Sequence, residues 1–214
     1  MFITLEGPDG SGKTTQVQPL VDFLQSKGYK VLPTREPGGT VISDQIRDVV
    51  LNKLENTAMH PRTEILLFLA SRAQLVEECI RPALAEGTIV ISDRYGDSTL
   101  AYQGYGHGVN LDTLRQLLAF ATDGLQPDLT ILLDVSAEEG LRRRKKNGNE
   151  WNRLDAYELA FHERVRQGYL EMARQQPERW HVVDGHQSPD MVQSNIRTIV
   201  LARLQTANAS QFSK

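Results

Sequence analysis

The sequence predicts an α/β protein with three layers, in which helices cover both faces of a five-stranded parallel sheet. Short apolar runs rich in β-forming residues recur five times, at residues 2–5, 29–32, 88–92, 129–133 and 181–183. Segments with helical periodicity separate these runs, and strands that alternate with helices assemble into parallel sheets. The length is the third observation, since 214 residues suit one domain with a substantial core. We therefore interpret residues 1–214 as a single domain.

Glycine and proline mark the ends of the helices that connect the runs. The first helix follows Thr14, carries apolar residues at positions 17, 20, 21 and 24, and ends at Gly28. A long helix is expected from about Thr63 to Gly87, and Pro189 lies near the start of the last helix. The helices that separate the runs can carry the chain back across the sheet, so that successive strands begin at the same edge and run parallel.

The bulk properties exclude several classes of protein. The formal net charge of −3 gives no general attraction to nucleic acid or to an anionic membrane, so basic chemistry must be local. The single cysteine, Cys79, excludes an internal disulfide framework and a cysteine metal site. The chain opens directly into a strand, and no apolar run is long enough to span a bilayer. A cytoplasmic protein is expected.

The segment GPDGSGKT follows the first predicted strand and opens the first helix. Its glycines, Gly7, Gly10 and Gly12, allow backbone angles that turn successive N–H groups inward as an anion nest at the helix N-terminus. Lys13 can reach the terminal phosphates, and the hydroxyl of Thr14 can complete a Mg²⁺ shell. The segment predicts a bound nucleoside triphosphate with magnesium, and a glycine-rich turn without a ligand is the weaker interpretation.

Four of the five predicted strands are followed by an acid: Glu6, Asp93, Asp134 and Asp184. Open parallel sheets bind ligands at the carboxyl ends of their strands, so these acids are expected along one edge beside the phosphate loop. Each could instead be a helix cap or a turn former. Asp93 follows an apolar strand as a magnesium-binding acid does, and Asp134 is its rival for that role.

Two clusters near this edge have both a functional and a structural interpretation. Arg35 lies in TREPGGT after the second run, where it could bind an anion or could be an exposed arginine in a plain loop. Phe68 and Arg72 are four residues apart on one helix, so they share a face. A ring beside a guanidinium suits stacking on a nucleobase, although an apolar run around Phe68 is more often core.

Two further segments are polar or strongly basic. The loop DSTLAYQG follows Asp93 and Arg94 and gathers groups that can bind a base edge or a sugar, although an Asp-capped helix start explains it too. RRRKK at residues 142–146 is followed by Asn147-Gly148-Asn149 and by Arg153. A solvated helix face is the usual interpretation of such a charge run, but two basic segments around a glycine hinge are also typical of a closing lid.

Taken together, the motifs resemble thymidylate kinase, a P-loop nucleoside monophosphate kinase. The resemblance covers nearly the whole chain, through GPDGSGKTT, TREPGGT, FLASRAQLVE, ISDRYGDSTLAYQG, PDLTILLD and VVDG. It implies the three-layer P-loop kinase fold with a short lid at about residues 138–154. It also implies direct in-line transfer of a phosphoryl group from Mg-ATP to dTMP, giving dTDP for dTTP synthesis, by a homodimer.

The resemblance also implies a role for individual residues. Asp9 would meet the sugar 3′-hydroxyl, Phe68 would stack on thymine, and Tyr102 would crowd the 2′ position. Asp93 would join Thr14 in the magnesium network. Residues implied to bind ATP are Gly7, Asp9, Gly10, Ser11, Gly12, Lys13, Thr14, Thr15 and Arg143. Residues implied to bind dTMP are Asp9, Arg35, Phe68, Arg72, Arg94, Ser98, Thr99, Tyr102 and Gln103.

Lys13, Arg94, Arg153 and Asp9 are implied to be the catalytic residues. The phosphate loop contains no arginine before Lys13, so the resemblance is to the bacterial type, whose catalytic arginine lies in the lid. Arg153 is our first choice for this arginine, with Arg142 and Arg144 as reserves. A nucleotide or nucleoside kinase with another base preference is the nearest alternative. A GTPase switch is remote, because guanine recognition by NKxD is approximated only by NKLE at residues 52–55.

Overall fold

A computed structural model of the chain describes residues 1–51, 59–146 and 158–211. The strands are β1 Phe2–Glu6, β2 Val31–Arg35, β3 Ile89–Asp93, β4 Leu129–Asp134 and β5 Trp180–Asp184. They form one five-stranded sheet in the order β2-β3-β1-β4-β5, and every pair in it is parallel. The predicted five-stranded parallel sheet is confirmed.

Helices connect the strands at every crossover. Within the described residues the helices are α1 Lys13–Ser26, α2 Val41–Leu51, α3 Pro61–Leu75, α4 Arg81–Ala85, α5 Gly96–Thr99, α6 Leu111–Thr122, α7 Ala137–Lys146, α8 Leu159–Gln175 and α9 Pro189–Gln211, the last of which follows β5. A π-helical turn, Val76–Ile80, joins α3 to α4, and another, Leu100–Gly106, follows α5. Within the described ranges, no helix has the length and apolar character needed to cross a membrane.

Successive residues of the central strand β1 face opposite layers of helices. Ile3 and Leu5 pack in a cluster with residues of α1 and α9, among them Leu24 and Ile196. Phe2 points to the other face, where its ring lies edge-on against Tyr95 at 4.8 Å between centroids. Because both faces of the strand are covered by buried side chains, the sheet is the middle of three layers, as predicted.

The second strand lies further along the chain than residues 29–32. Gly28 has a left-handed backbone, with φ of 87°, and the N–H of Tyr29 donates to Leu24 O at 3.1 Å. That N–H therefore completes the end of α1 instead of joining the sheet. Pairing with β3 begins at Val31 and continues to Arg35, which is opposite Asp93. The shift brings Arg35 to the carboxyl edge of the sheet.

The predicted long helix after Thr63 is present but has three parts. It begins two residues earlier, at Pro61, where His60 Nδ1 accepts a hydrogen bond from the N–H of Arg62 at 3.2 Å. The π-helical turn interrupts it before Pro82, which has no N–H to donate to the preceding turn. Gly87, with φ of 74°, follows its end as predicted.

Candidate active site

The phosphate loop holds its lysine through backbone carbonyls. Gly12, with φ of 94°, turns the chain into α1, and Lys13 is the first residue of that helix. Lys13 Nζ donates to Gly7 O and Pro8 O at 2.8 Å each and to Ser11 Oγ at 3.1 Å. Burial, together with the positive charge of Arg94, lowers the pKa of Lys13 to about 8. The ammonium group is thus desolvated beside the helix N-terminus, which suits a phosphate partner.

Thr14 and Asp93 meet at the carboxyl edge of the sheet. Thr14 Oγ1 donates to Asp93 Oδ2 at 2.5 Å, and Asp93 is 9% exposed. A hydroxyl and a carboxylate that face one cavity are hard oxygen ligands, so they fit a Mg²⁺ ion that keeps other positions for water and phosphate. Among the described residues, no group of three or more His, Cys, Asp or Glu side chains is arranged to hold a metal ion.

The rival acid, Asp134, has a different partner. Arg166 of α8 donates to both of its carboxylate oxygens, at 2.7 and 2.8 Å. A bidentate pair of this kind uses the whole carboxylate edge. Asp93 is therefore the better candidate of the two for the magnesium network.

One cavity of about 440 Å³ opens beside these groups. It brings together the phosphate loop, the end of β2, helix α3 and the segment after β3. The predicted site residues on its wall are Asp9, Gly10, Gly12, Lys13, Thr14, Thr15, Arg35, Phe68, Arg72, Asp93, Arg94, Ser98, Thr99, Tyr102, Gln103 and Arg143. Gly7 and Ser11 are not among the described residues that line the cavity. Gly7 O and Ser11 Oγ instead accept hydrogen bonds from Lys13 Nζ. Arg153 lies outside the described residues.

Arg94 links the phosphate loop to the rest of the cavity. Its N–H donates to Leu5 O at 3.0 Å, and its left-handed φ of 72° then directs the side chain across the sheet edge. Nη2 donates to Asp9 Oδ1 at 2.6 Å, and Nη1 donates to Gly7 O at 3.2 Å. Tyr102 Oη lies 3.1 Å from Nη2, and its ring lies under the guanidinium at 5.0 Å. These contacts fix a cation in the wall of the cavity.

Asp9 lies between this arginine and a tyrosine. Tyr102 Oη donates to Asp9 Oδ2 at 2.8 Å, while Arg94 occupies Oδ1. Burial raises the pKa of Asp9, but the positive charges of Arg94 and Lys13 outweigh it and lower the pKa to about 2. The carboxylate is therefore ionised at neutral pH and can accept a hydrogen bond from a ligand hydroxyl.

Glu6 supports Arg94 through two hydroxyl groups that both residues contact, an arrangement that the sequence did not reveal. It is fully buried at the end of β1 and accepts from Ser98 Oγ at 2.7 Å and from Tyr169 Oη at 2.9 Å. Arg94 Nη1 donates to the same two hydroxyls, at 3.0 and 3.1 Å. Burial, followed by the charge of Asp97, raises the pKa of Glu6 to about 7. The acid at the strand end was the available signal, but its partners come from distant helices.

Arg72 is held at the far side of the cavity by another unanticipated acid. Its Nε lies 2.8 Å and its Nη2 2.6 Å from Glu36 Oε2, and both side chains are buried. Nη1 donates to Thr99 Oγ1 at 3.0 Å. Phe68 lies on the same wall, one turn earlier in α3. An aromatic ring and a positioned guanidinium thus face one space, which suits a planar base.

Arg47 also lines the cavity, near Arg35, and was not anticipated. Arg35 is half-exposed and pairs with Asp44 at 3.2 Å, while Arg47 Nη1 donates to Pro37 O at 2.7 Å. Burial, with the charge of Arg35, lowers the pKa of Arg47. Arg47 lies one turn after the buried Ser43 on α2, and the sequence carries no clear signal for its place in the cavity.

The basic run at the end of α7 divides into surface and cavity residues. Arg142 is 63% exposed and pairs with Glu139 at 2.7 Å. Arg143 also pairs with Glu139 and donates to Gly185 O at 2.8 Å. Arg143 and Arg144 line the cavity, so part of the run serves the site and part is a solvated helix face. The predicted lid continues into residues 147–154, which lie outside the described residues, as does NKLE at residues 52–55.

Two glycines bring α7 against the phosphate loop. Gly10 has φ of 77°, and a Cβ added there would overlap with the carbonyl oxygen of Gly140. A Cβ added at Gly140 would in turn overlap with the carbonyl oxygen of Asp9. The two backbones are therefore in direct contact without an intervening side chain.

Comparisons with a family model, with curated relatives and with a solved structure all point to thymidylate kinases. The family model for thymidylate kinase matches residues 5–196. A thymidylate kinase from Roseiflexus castenholzii is 51% identical over 212 residues, covering 94% of this chain and 92% of the relative. Another, from Herpetosiphon aurantiacus, is 53% identical over 208 residues, covering 86% and 88%. The crystal structure of thymidylate kinase from Ehrlichia chaffeensis matches with a TM-score of 0.75 at 35% identity, over 94% of this chain and 98% of that one. This chain belongs to the thymidylate kinase family.

Proposed function

We propose that this enzyme transfers the γ-phosphoryl group of ATP to dTMP. The observation that carries the proposal is that one cavity contains both a phosphate loop and a pocket for a planar base, with Arg94 between them. A donor triphosphate and an acceptor monophosphate would then meet at Arg94. Family membership and the motifs after β2 and β3 favour dTMP as the acceptor over other nucleotides.

The donor side of the cavity neutralises and orients the triphosphate. The N–H groups around Gly10 and Gly12 and the N-terminus of α1 would hold phosphate oxygens. Lys13, now bonded to loop carbonyls, would exchange them for the β- and γ-phosphates. Thr14 and Asp93 would hold Mg²⁺ through oxygen ligands. When bound, the ion supplies neutralisation of the charge on the transferring phosphates.

The acceptor side presents an anionic phosphate for in-line attack. Arg94 and Arg35, joined by Arg47, would hold the 5′-phosphate of dTMP. Asp9 would accept the sugar 3′-hydroxyl, and Phe68 would stack on the base. One acceptor phosphate oxygen forms the new bond to the γ-phosphorus while the bond to the ADP oxygen breaks, so no covalent enzyme intermediate is needed.

Three further features belong to the same proposal. Residues 138–154 act as a lid, and Arg153 delivers positive charge to the migrating group. The protein works in the cytoplasm and supplies dTDP for dTTP synthesis.

It forms a homodimer, since apolar side chains of the paired helices α3 and α6 remain exposed, Leu66 at 58% and Phe120 at 90%. Analytical sedimentation checks the homodimer.

An acceptor panel tests the function. Release of ADP is measured by a coupled assay with ATP, Mg²⁺ and either dTMP, dUMP, dCMP, dGMP or thymidine. We expect the highest kcat/KM with dTMP. Equal or better turnover of another nucleotide would replace the proposed substrate. Tight GTP binding without transfer to any monophosphate would instead support a switch protein.

A further inference from the structure

The amide of Gln103 has a fixed orientation in the wall of the cavity. Gln103 lies on the π-helical turn Leu100–Gly106, and its Nε2 donates to Glu64 Oε1 at 2.7 Å. Both side chains are 2% exposed. Gln103 lines the cavity, whereas Glu64, in the first turn of α3, is not among the described residues of that wall. Glu64 therefore lies on the side of Gln103 that faces away from the cavity.

A carboxylate determines which end of a neighbouring amide faces it. Its oxygens accept hydrogen bonds and do not donate them, so the NH₂ group of Gln103 must point to Glu64. The carbonyl oxygen, Oε1, is then the end of the amide that remains for a ligand. Rotation of the amide would set two acceptor oxygens against each other in a buried place, which is costly.

Arg72 presents the complementary group on the same wall. A guanidinium only donates hydrogen bonds, and its Nη1 carries two hydrogens, of which Thr99 accepts one within the described part of the chain. The cavity thus offers a donor from Arg72 beside an acceptor from Gln103. This pair matches a base edge that has a carbonyl oxygen next to a ring N–H.

The two kinds of pyrimidine differ on this edge. Thymine and uracil present O4, which accepts, and N3–H, which donates. Cytosine presents N4–H₂, which donates, and N3, which accepts. Cytosine would therefore set donor against donor at Arg72 and acceptor against acceptor at Gln103. If the Gln103 amide could rotate, its NH₂ group could donate to N3 of cytosine, and the mismatch at Gln103 would disappear.

We propose that Glu64 is a positioning residue for base specificity, which fixes the Gln103 amide so that the site accepts thymine or uracil and rejects cytosine. The inference rests on the proposed transfer to dTMP. Glu64 acts through Gln103 and does not contact the base. The role is more specific than support of the fold, because it predicts a change in one substrate ratio and none in another.

Glu64→Gln tests this role with an almost unchanged side-chain volume. The new amide can donate as well as accept, so Gln103 can turn either end to the ligand. We expect the ratio of kcat/KM for dTMP to that for dCMP to fall by about tenfold or more. The ratio for dTMP to dUMP is expected to stay the same, because both bases present the same edge to Gln103. A merely structural role would leave both ratios unchanged, and that result would overturn the inference.

A charge-neutral exchange provides the second variant. In Glu64→Gln with Gln103→Glu, the amide stands behind and donates to the carboxylate, whose other oxygen faces the ligand. That position can again only accept, so we expect the dTMP-to-dCMP ratio to return toward that of the wild type. If the exchange variant folds but its ratio of kcat/KM for dTMP to that for dCMP stays low, the inference is contradicted. This test holds even if Glu64→Gln alone does not fold.

Two controls separate this inference from the proposed function. Glu77→Gln changes an exposed glutamate that pairs with Arg81 and should leave both ratios unchanged. The wild-type enzyme measured with dTMP and dCMP tests the function itself. Absence of dTMP phosphorylation by the wild type refutes the proposed function. A dTMP preference that survives Glu64→Gln refutes only the role of Glu64.

Discussion

Glu36 and Arg72 form a buried ion pair in the wall of the cavity, with 2.6 Å between Oε2 and Nη2 and side-chain exposures of 4% and 2%. Removing one charge from such a pair leaves the other desolvated without compensation. We expect Glu36→Gln to lower the free energy of unfolding by about 3 kcal/mol. It should also raise the KM for dTMP, because Arg72 loses the contact that positions it. Urea denaturation and the coupled assay measure the two effects.

The exposed pair of Glu77 and Arg81 is the matched control for Glu36. Solvent screens it, so Glu77→Gln should change the free energy of unfolding by less than about 1 kcal/mol. Equal effects of the two substitutions would show that burial does not strengthen the Glu36 pair.

Glu6 gives the stability of the protein a pH dependence. Burial, followed by the charge of Asp97, raises its pKa from 4.5 to about 7, although Arg94 opposes the shift. Because the folded pKa lies above the unfolded one, the associated stability is complete below the unfolded pKa and is lost as pH rises through about 7.

Glu6→Gln is neutral at every pH and should remove this dependence. Relative to the variant, the wild type is expected to lose roughly 3 kcal/mol of unfolding free energy between about pH 5 and pH 8. Urea denaturation at several pH values measures the difference. The exposed Glu86→Gln is the control and should run parallel to the wild type. A constant difference between the wild type and Glu6→Gln would contradict the raised pKa.

Thr14 and Asp93 are expected to set the requirement for magnesium. Asp93→Asn and Thr14→Val each remove an oxygen group suited to the ion, so the Mg²⁺ concentration for half-maximal activity should rise about tenfold or more. Thr14→Ser keeps the hydroxyl and should resemble the wild type. Asp134→Asn breaks the pair with Arg166 and should leave the magnesium dependence unchanged. A shift with Asp134→Asn alone would transfer the role to Asp134.

Alanine variants of three arginines, Arg153, Arg142 and Arg144, test which of them is the catalytic arginine of the lid. Arg153→Ala is expected to lower kcat by about 10³ with little change in the KM for dTMP, because the charge acts on the migrating group. Arg142, exposed and paired with Glu139, is the control and should tolerate alanine. Arg144 lines the cavity and is the alternative. Unchanged kcat in Arg153→Ala with a strong loss in Arg144→Ala would reassign the role.

The sheet and the phosphate loop could be predicted because their signals are local. Five apolar runs and a glycine pattern depend on neighbouring residues, and the predicted strands differ from the observed ones mainly at β2. There the capping of α1 by the N–H of Tyr29 delays the strand, and no local pattern distinguishes that use of the N–H from pairing in the sheet.

The supporting acids of the site could not be predicted in the same way. Glu6, Glu36 and Glu64 each hold a cavity residue from another part of the chain: Glu36 and Arg72 are 36 residues apart, and Glu64 and Gln103 are 39 apart. Residue type alone does not distinguish a supporting acid from a helix cap or a surface charge. Only the fold shows that they are buried beside a positively charged or amide partner.

The contact between Gly10 and Gly140 joins two parts of the enzyme mechanically. Because the two backbones touch, α7 cannot move toward the phosphate loop without displacing it. Helix α7 carries Arg143 and Arg144 to the cavity, while the loop carries Asp9. The contact between the two backbones therefore sets the closest approach of the groups proposed to hold the nucleotide donor and the acceptor sugar.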